Sequence, residues 1–198
     1  MAWTATVSFA AVPKPGSVAA ADIKNIETYL SDLRTLKAQF VQLEPSGNTS
    51  TGNLYYAKPD KMRLDYHSPN PVLIVANGWQ TIYHDRKLDQ ATHILTNQTP
   101  LAFLLEKNVQ LSGDVTITDY QDVDDQVLLT LIQTDEPDLG QVQLAFAKAP
   151  LRLQRWIVTD AQGLTTHIIL ERAEADVAID DKLFLLCNPN AVIKKEGC

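Results

Sequence analysis

The chain has 198 residues, 45% of them apolar and 21% charged, enough for one domain around a sizeable core and too apolar for a disordered chain. With 17 Lys+Arg against 24 Asp+Glu the net charge is −7, which argues against nucleic-acid binding and against a polybasic membrane anchor. No apolar run reaches the roughly 20 residues of a membrane-spanning helix, so composition describes a soluble, acidic, single-domain protein.

Near the N-terminus, the apolar stretch from Ala2 to Val12 and the small residues Val18-Ala19-Ala20 resemble an export signal with its cleavage site. No Lys or Arg precedes that stretch, and Lys14-Pro15-Gly16 interrupts it. Residues 1–21 therefore read as a flexible arm or the remnant of an export signal, 22–187 as the folded domain and 188–198 as a tail. No Cys follows the signal-like region to accept a lipid anchor. Cys187 and Cys198 read as a core thiol and a free terminal one, since neither has a CxxC or a histidine at metal spacing nearby.

The first element is a helix over Val18–Asp32. Ile23, Ile26, Leu30 and Leu33 fall on one face, with Lys24, Asn25, Glu27 and Ser31 opposite, and Asp22 stands as an N-cap or first-turn acid. The period then changes to two, with Leu36, Ala38 and Phe40 alternating with polar residues. Residues 51–57, including Leu54, form the next strand, stopped by Lys58-Pro59-Asp60. Met62, Leu64 and Tyr66 alternate with Arg63 and Asp65, so the first three face inward and the charged pair outward. Residues 72–76 and 79–84 flank an Asn77-Gly78 hairpin signal, and 91–95 adds another strand.

Thr99-Pro100 reads as the cap and first residue of a second short helix over 101–106, carrying Leu101, Leu104 and Leu105. About two turns of mostly apolar residues are not stable alone and must press onto an apolar surface. Five strands at meander spacing follow, over 115–120, 126–133, 140–147, 151–159 and 164–172, with a last short strand at 182–186. The predicted fold is mainly β: an unclosed antiparallel barrel of about eleven strands with two lid helices over a cavity lined by aliphatic side chains.

Chemistry-bearing motifs are sparse. His67, His84, His93 and His167 are scattered, and no GxSxG, P-loop, GxGxxG or HExxH occurs. The acids Asp122, Asp124, Asp125, Asp135, Glu136 and Asp138 sit in turn-like segments without the glycine and terminal Glu of a calcium loop. The sequence thus points to no enzyme, no metal and no cofactor. Lys58 reads either as a snorkelling surface residue or as a cation at the cavity mouth, donating to backbone carbonyls.

An ordered set of segments carries a resemblance. Residues 33–42 resemble the F-x-A-x-F-x-Q run of the outer-membrane lipoprotein carrier (LolA) family, and residues 52–69 its G-x-L-x-x-x-R-P-x-x-x-R-W-x-Y-x-x-P segment. Residues 77–92, Thr99-Pro100-Leu101 with Leu104-Leu105, and Asp160-Ala161-Gln162-Gly163 match further segments in order. Lys58 stands where that family has Arg, Leu64 where it has Trp, and Asn77 where it has Asp. The resemblance implies a periplasmic, monomeric, non-enzymatic shuttle. Its cargo would be acylated lipoproteins, received from an inner-membrane ABC-type release complex and passed to an outer-membrane lipoprotein receptor. It makes Leu30, Leu33, Phe40, Leu54, Met62, Leu64, Tyr66, Leu101, Leu104 and Leu105 the acyl-chain cavity and lid, with Lys58 tethering the lid. The alternative is a general lipid-binding module or an outer-membrane lipoprotein acceptor of the same fold.

Overall fold

The computed structural model describes residues 18–186. Cys187, Cys198, the signal-like region before residue 18 and the tail lie outside the described residues. One helix, α1 (Val18–Asp32), precedes eleven strands: β1 (Thr35–Leu43), β2 (Thr49–Ala57), β3 (Lys61–Tyr66), β4 (Val72–Asn77), β5 (Gln80–Asp85), β6 (Gln90–Leu95), β7 (Val115–Val123), β8 (Gln126–Gln133), β9 (Gly140–Lys148), β10 (Leu151–Asp160) and β11 (Thr165–Ala175). They form one antiparallel sheet in the order β6-β5-β4-β3-β2-β1-β11-β10-β9-β8-β7. β6 and β7 are its two edges, so the barrel is not closed. Bulges between Lys37 and Gln39, Ile117 and Asp119, and Leu153 and Arg155 bend the strands that carry them.

Period-two alternation puts an apolar row of the central strands on the concave face. Leu36, Ala38 and Phe40 of β1, Leu54 and Tyr56 of β2, and Leu64 and Tyr66 of β3 are buried there, as are Leu129 and Leu131 of β8 and Val142, Leu144 and Phe146 of β9. Phe40 packs edge-on to Tyr66 with ring centroids 5.0 Å apart. That packing needs Gly52, because a Cβ there would come within 2.5 Å of both the Phe40 ring and the Asp65 carbonyl oxygen.

Helix α1 fills the bowl. Ile26 and Leu30 are buried and Ile23 is half-buried. Tyr29 meets the Phe146 ring edge-on at 6.0 Å, and its hydroxyl accepts from the Leu153 backbone N–H at 3.2 Å. Polar residues of the opposite face are used as well. Tyr120 Oη donates to Asp22 at 2.7 Å, the Leu111 N–H donates to Glu27 at 2.8 Å, and Ser31 Oγ donates to the Val109 carbonyl at 3.2 Å. Asp22 is thus a mid-helix acceptor rather than a cap, because the helix already starts at Val18. Leu33 lies just past the helix end but keeps a helical backbone bond to Tyr29 at 3.0 Å.

Three local expectations are corrected. The segment after Thr99-Pro100 is a single 3-10 turn, Ala102–Leu105, so α1 is the one α-helix of the described residues. Thr99 Oγ1 bonds back to the Thr96 carbonyl at 2.7 Å instead of capping forward. The expected strand at 182–186 is likewise a 3-10 turn, Asp181–Phe184, packed on the outer face of the sheet. There Phe184 joins Ala57, Leu73 and Val75, while Arg63 donates to the Leu183 carbonyl at 2.9 Å and to Asp65 at 2.6 Å. The hairpin turn is Gly78-Trp79, one residue later than read, with Gly78 at a φ of 100°.

Candidate functional site

The site lies where the end of α1, the Ala102–Leu105 turn and the concave ends of β2 and β3 meet. Leu30, Leu33, Leu54, Met62, Leu101 and Leu104 line one apolar cleft together with Leu36, Tyr56, Leu153 and Trp156. Phe40, Leu64, Tyr66 and Leu105 are buried in the same apolar core beside it, outside the cleft lining. The structure thus brings together six of the ten residues singled out for cavity and lid and places the other four alongside them. Arg63 and Asp65 face the other way, as the alternation requires.

The cleft is narrow. Its free volume is about 30 Å³, whereas a cavity that holds one benzene ring measures about 150 Å³. The open cavity expected from the sequence is therefore filled in this state by Leu30, Leu33, Leu101 and Leu104. An apolar guest would have to displace them.

Four hydrogen bonds hold the cover. Lys58 Nζ donates to the Leu30 carbonyl at 2.5 Å, and the Lys58 N–H donates to the Arg34 carbonyl at 2.9 Å. Leu30 lies in the last turn of α1, where carbonyls lack helical partners and the helix dipole favours a cation. Tyr56 Oη donates to the Leu104 carbonyl at 2.5 Å, and the Asp60 N–H donates to the Leu105 carbonyl at 2.8 Å. The residues that close the cleft are thus tied at backbone level to the end of β2 and the turn after it. Sequence reasoning missed Tyr56. The available signal was its place two residues after Leu54 on an inward row, since a buried tyrosine hydroxyl must find an acceptor.

Burial pushes the Lys58 ammonium down to about 8, helped by the nearby Arg34 and opposed by Glu106 and Asp32. Burial pushes Glu106 up, as do Asp114 and Asp60, while Lys58 pulls it down. The sign of the consequence is fixed. When the cover is open, Lys58 meets water and keeps its ordinary value near 10.5. Between these values the closed form has shed a proton that the open form keeps, so closure strengthens as pH rises. Tyr56 and Tyr66, both pushed up by burial, oppose the trend only beyond about pH 10. Uptake of an apolar fluorophore is accordingly expected to fall between about pH 8 and about pH 10, and to stay flat over that range in Lys58→Met. A wild-type profile as flat as the variant's would disprove the coupling.

The site offers apolar surface and backbone carbonyls rather than reactive groups. His67 bonds Thr51 and Asn53, His84 bonds Asp89 at 3.2 Å and His93 bonds Gln80 at 3.1 Å, all away from the cleft. No group of three metal-ligating side chains occurs among the described residues, and no described helix is long and apolar enough to cross a membrane.

An open antiparallel sheet curved around one helix, with a narrow apolar cleft tied by hydrogen bonds to backbone carbonyls, defines an open half-barrel. Solved structures share the fold. A conserved protein from Thermus thermophilus superposes with a TM-score of 0.51 at 10% identity, covering 89% of this chain and 99% of that one. A DUF1329 family protein from Desulfovibrio piger gives 0.50 at 12% identity, covering 83% and 95%. The model of the family described as outer membrane lipoprotein carrier protein LolA matches residues 31–187, and the chain belongs to that family. Relatives named outer-membrane lipoprotein carrier protein occur in Dechloromonas aromatica, 27% identical over 91% of this chain and 89% of the relative, and in Methylococcus capsulatus, 28% identical over 84% of each. The family binds and carries lipoproteins and is not enzymatic.

Proposed function

We propose that this protein shuttles acylated lipoproteins across the periplasm as a monomer, taking them from an inner-membrane ABC-type release complex and giving them to an outer-membrane receptor. The observation that carries the reading is the narrow apolar cleft whose lining residues are held by Lys58 and Tyr56 through the Leu30 and Leu104 carbonyls. An acyl chain gains about 0.8 kcal/mol for each CH₂ it buries. Because burial disfavours the Lys58 ammonium, its bond to the Leu30 carbonyl contributes a net of only about 0.5–1.5 kcal/mol, like an ordinary hydrogen bond. A few buried methylenes therefore offset one tether. Cargo opens the cover, and the tethers restore it when a better apolar surface is offered, without ATP at this step. In this reading Leu30, Leu33, Leu101 and Leu104 give up their mutual contacts for contact with the acyl chains, which then lie against Leu54, Met62, Leu64, Phe40, Tyr66 and Leu105.

The test is transfer of a labelled lipoprotein from loaded carrier to an acceptor. Lys58→Leu is expected to load cargo, because the cleft stays apolar, but to deliver it more slowly, because the empty closed form has lost a tether. Lys58→Arg is expected to deliver at least as fast, since the guanidinium offers more donors in a fixed fork. Delivery by Lys58→Leu at the wild-type rate would reduce Lys58 to a snorkelling surface residue.

A further inference from the structure

Strands β10 and β11 pair from Thr159–Thr165 as far as Arg155–Ile169 and then part. β10 continues toward Leu151 against β9, and β11 continues toward Ala175 against β1. The bulge between Leu153 and Arg155 and the φ of 49° at Arg172 fall where the two backbones diverge. The divergence leaves a cleft of about 400 Å³ that shares only Leu153 with the narrow apolar one. Leu153, Ile169 and Leu170 give it an apolar floor, and Arg152, Arg155 and Arg172 stand around it with Gln126 and Gln154. Among the described residues none of these three arginines enters an ion pair, and Arg155 Nε is buried with no hydrogen-bond partner. Three like charges share one cleft in a chain whose acids outnumber its bases by 24 to 17, so the arrangement is not a by-product of a basic surface.

We infer that this cleft binds a phosphate-type oxyanion carried on a short apolar stem. Guanidinium forks match the several oxygens of a phosphate, and the apolar floor suits the stem. A long acidic peptide fits less well. The arginines meet in one pocket instead of following a strip, and Asp124 and Asp125 border the adjoining groove on the far side of Arg155, with Glu174 beside Arg172. A compact anion meets the three charges without running along those carboxylates. Phosphate of this kind has two sources, a soluble phosphoester or the headgroup of an anionic phospholipid.

The experiment uses the full chain in two arms. One titrates sn-glycerol 3-phosphate by calorimetry. The other measures co-sedimentation with phosphatidylcholine vesicles, with and without phosphatidylglycerol. We expect saturable binding in at least one arm, weakened about tenfold by Arg155→Gln and more by Arg152→Gln with Arg172→Gln. The second pair lies at exposed positions and leaves the half-buried Arg155 in place, so it remains informative if Arg155→Gln disturbs the fold. Uptake of an apolar fluorophore should be unchanged in both, which separates this site from the lipoprotein reading. Binding of glycerol phosphate alone assigns a soluble phosphoester. Binding of phosphatidylglycerol vesicles that glycerol phosphate does not displace assigns a headgroup. No binding in either arm, binding that the variants leave intact, or stronger binding of a polyglutamate peptide than of either phosphate would overturn the inference.

Discussion

Replacing Leu104 by Glu is expected to lower the affinity for an acylated peptide or apolar fluorophore at least about tenfold at neutral pH, with the sheet intact. Leu104 is buried, and its neighbours across the cleft are Leu30, Leu33, Tyr56 and Met62. A carboxylate cannot remain there ionised without a partner. Either it takes up a proton or the Ala102–Leu105 turn leaves the cleft. Leaving gives up the burial of Phe103, Leu104 and Leu105, about 1.5–3 kcal/mol for each side chain. An incoming acyl chain then meets either a neutral carboxyl group that lacks a hydrogen-bond partner or an unsupported cover. Two controls sharpen the test. Leu104→Met conserves volume and should bind as wild type. Lowering the pH should partly restore Leu104→Glu, because the neutral acid is far cheaper to bury. Unchanged affinity in Leu104→Glu, with native circular dichroism, would remove the turn from the binding surface.

Phe146→Ala is expected to give the largest loss of stability of any single change considered, about 3–5 kcal/mol. For a chain of this size that lowers Tm by roughly 6–20 °C. Phe146 is fully buried at the centre of the concave face and carries the edge-on contact with Tyr29. Its removal leaves a void between helix and sheet that the surroundings do not refill, because Leu144, Leu129 and Val127 are held in register by ladders on both sides. The same void loosens Tyr29 and with it the seat of α1. Fluorophore uptake should therefore rise in Phe146→Ala at temperatures where the fold persists. Thermal melting with a parallel uptake assay checks both. A Tm within about 3 °C of wild type would mean that the helix is seated elsewhere.

The sheet was legible because several of its strands keep a clear alternation. β3 is the clearest case: Leu64 and Tyr66 inward, Arg63 and Asp65 outward, after a proline stop. Helix α1 was legible because its apolar spacing of three and four persists over four turns. The Ala102–Leu105 turn was misread because local signals and tertiary needs disagree there. Thr99 and Pro100 are good helix openers, yet an apolar run so short cannot propagate a helix, and its carbonyls are claimed by Tyr56 and Asp60 instead. The 182–186 segment was misread because the apolar positions Leu183 and Phe184 suit a strand equally well. Packing of Phe184 onto the outer face and the Arg63 bond to Leu183 decide otherwise. Of the site, the side chains could be read and the distances could not. Lys58 was read either as a snorkelling surface residue or as a donor to backbone carbonyls, and its Nζ donates to the Leu30 carbonyl. The closed state itself was not legible, since alternation says which side chains face inward but not whether they meet.

The central ladder of the sheet joins β1 to β11, with Leu43 opposite His167 and Leu36 opposite Ala175. These partners are more than a hundred residues apart in the chain, so the middle of the sheet is the last part that synthesis can supply. Until residue 165 is available, β1–β6 form a meander whose β1 edge has no neighbour, with the apolar row Leu36, Ala38 and Phe40 uncovered. Pairing at such separations is slow, on the order of milliseconds to seconds. A ribosome-bound chain or a chain still entering its compartment is therefore expected to be sticky for as long as β11 is missing. Truncations that end before β11 are therefore expected to yield aggregates rather than a smaller domain.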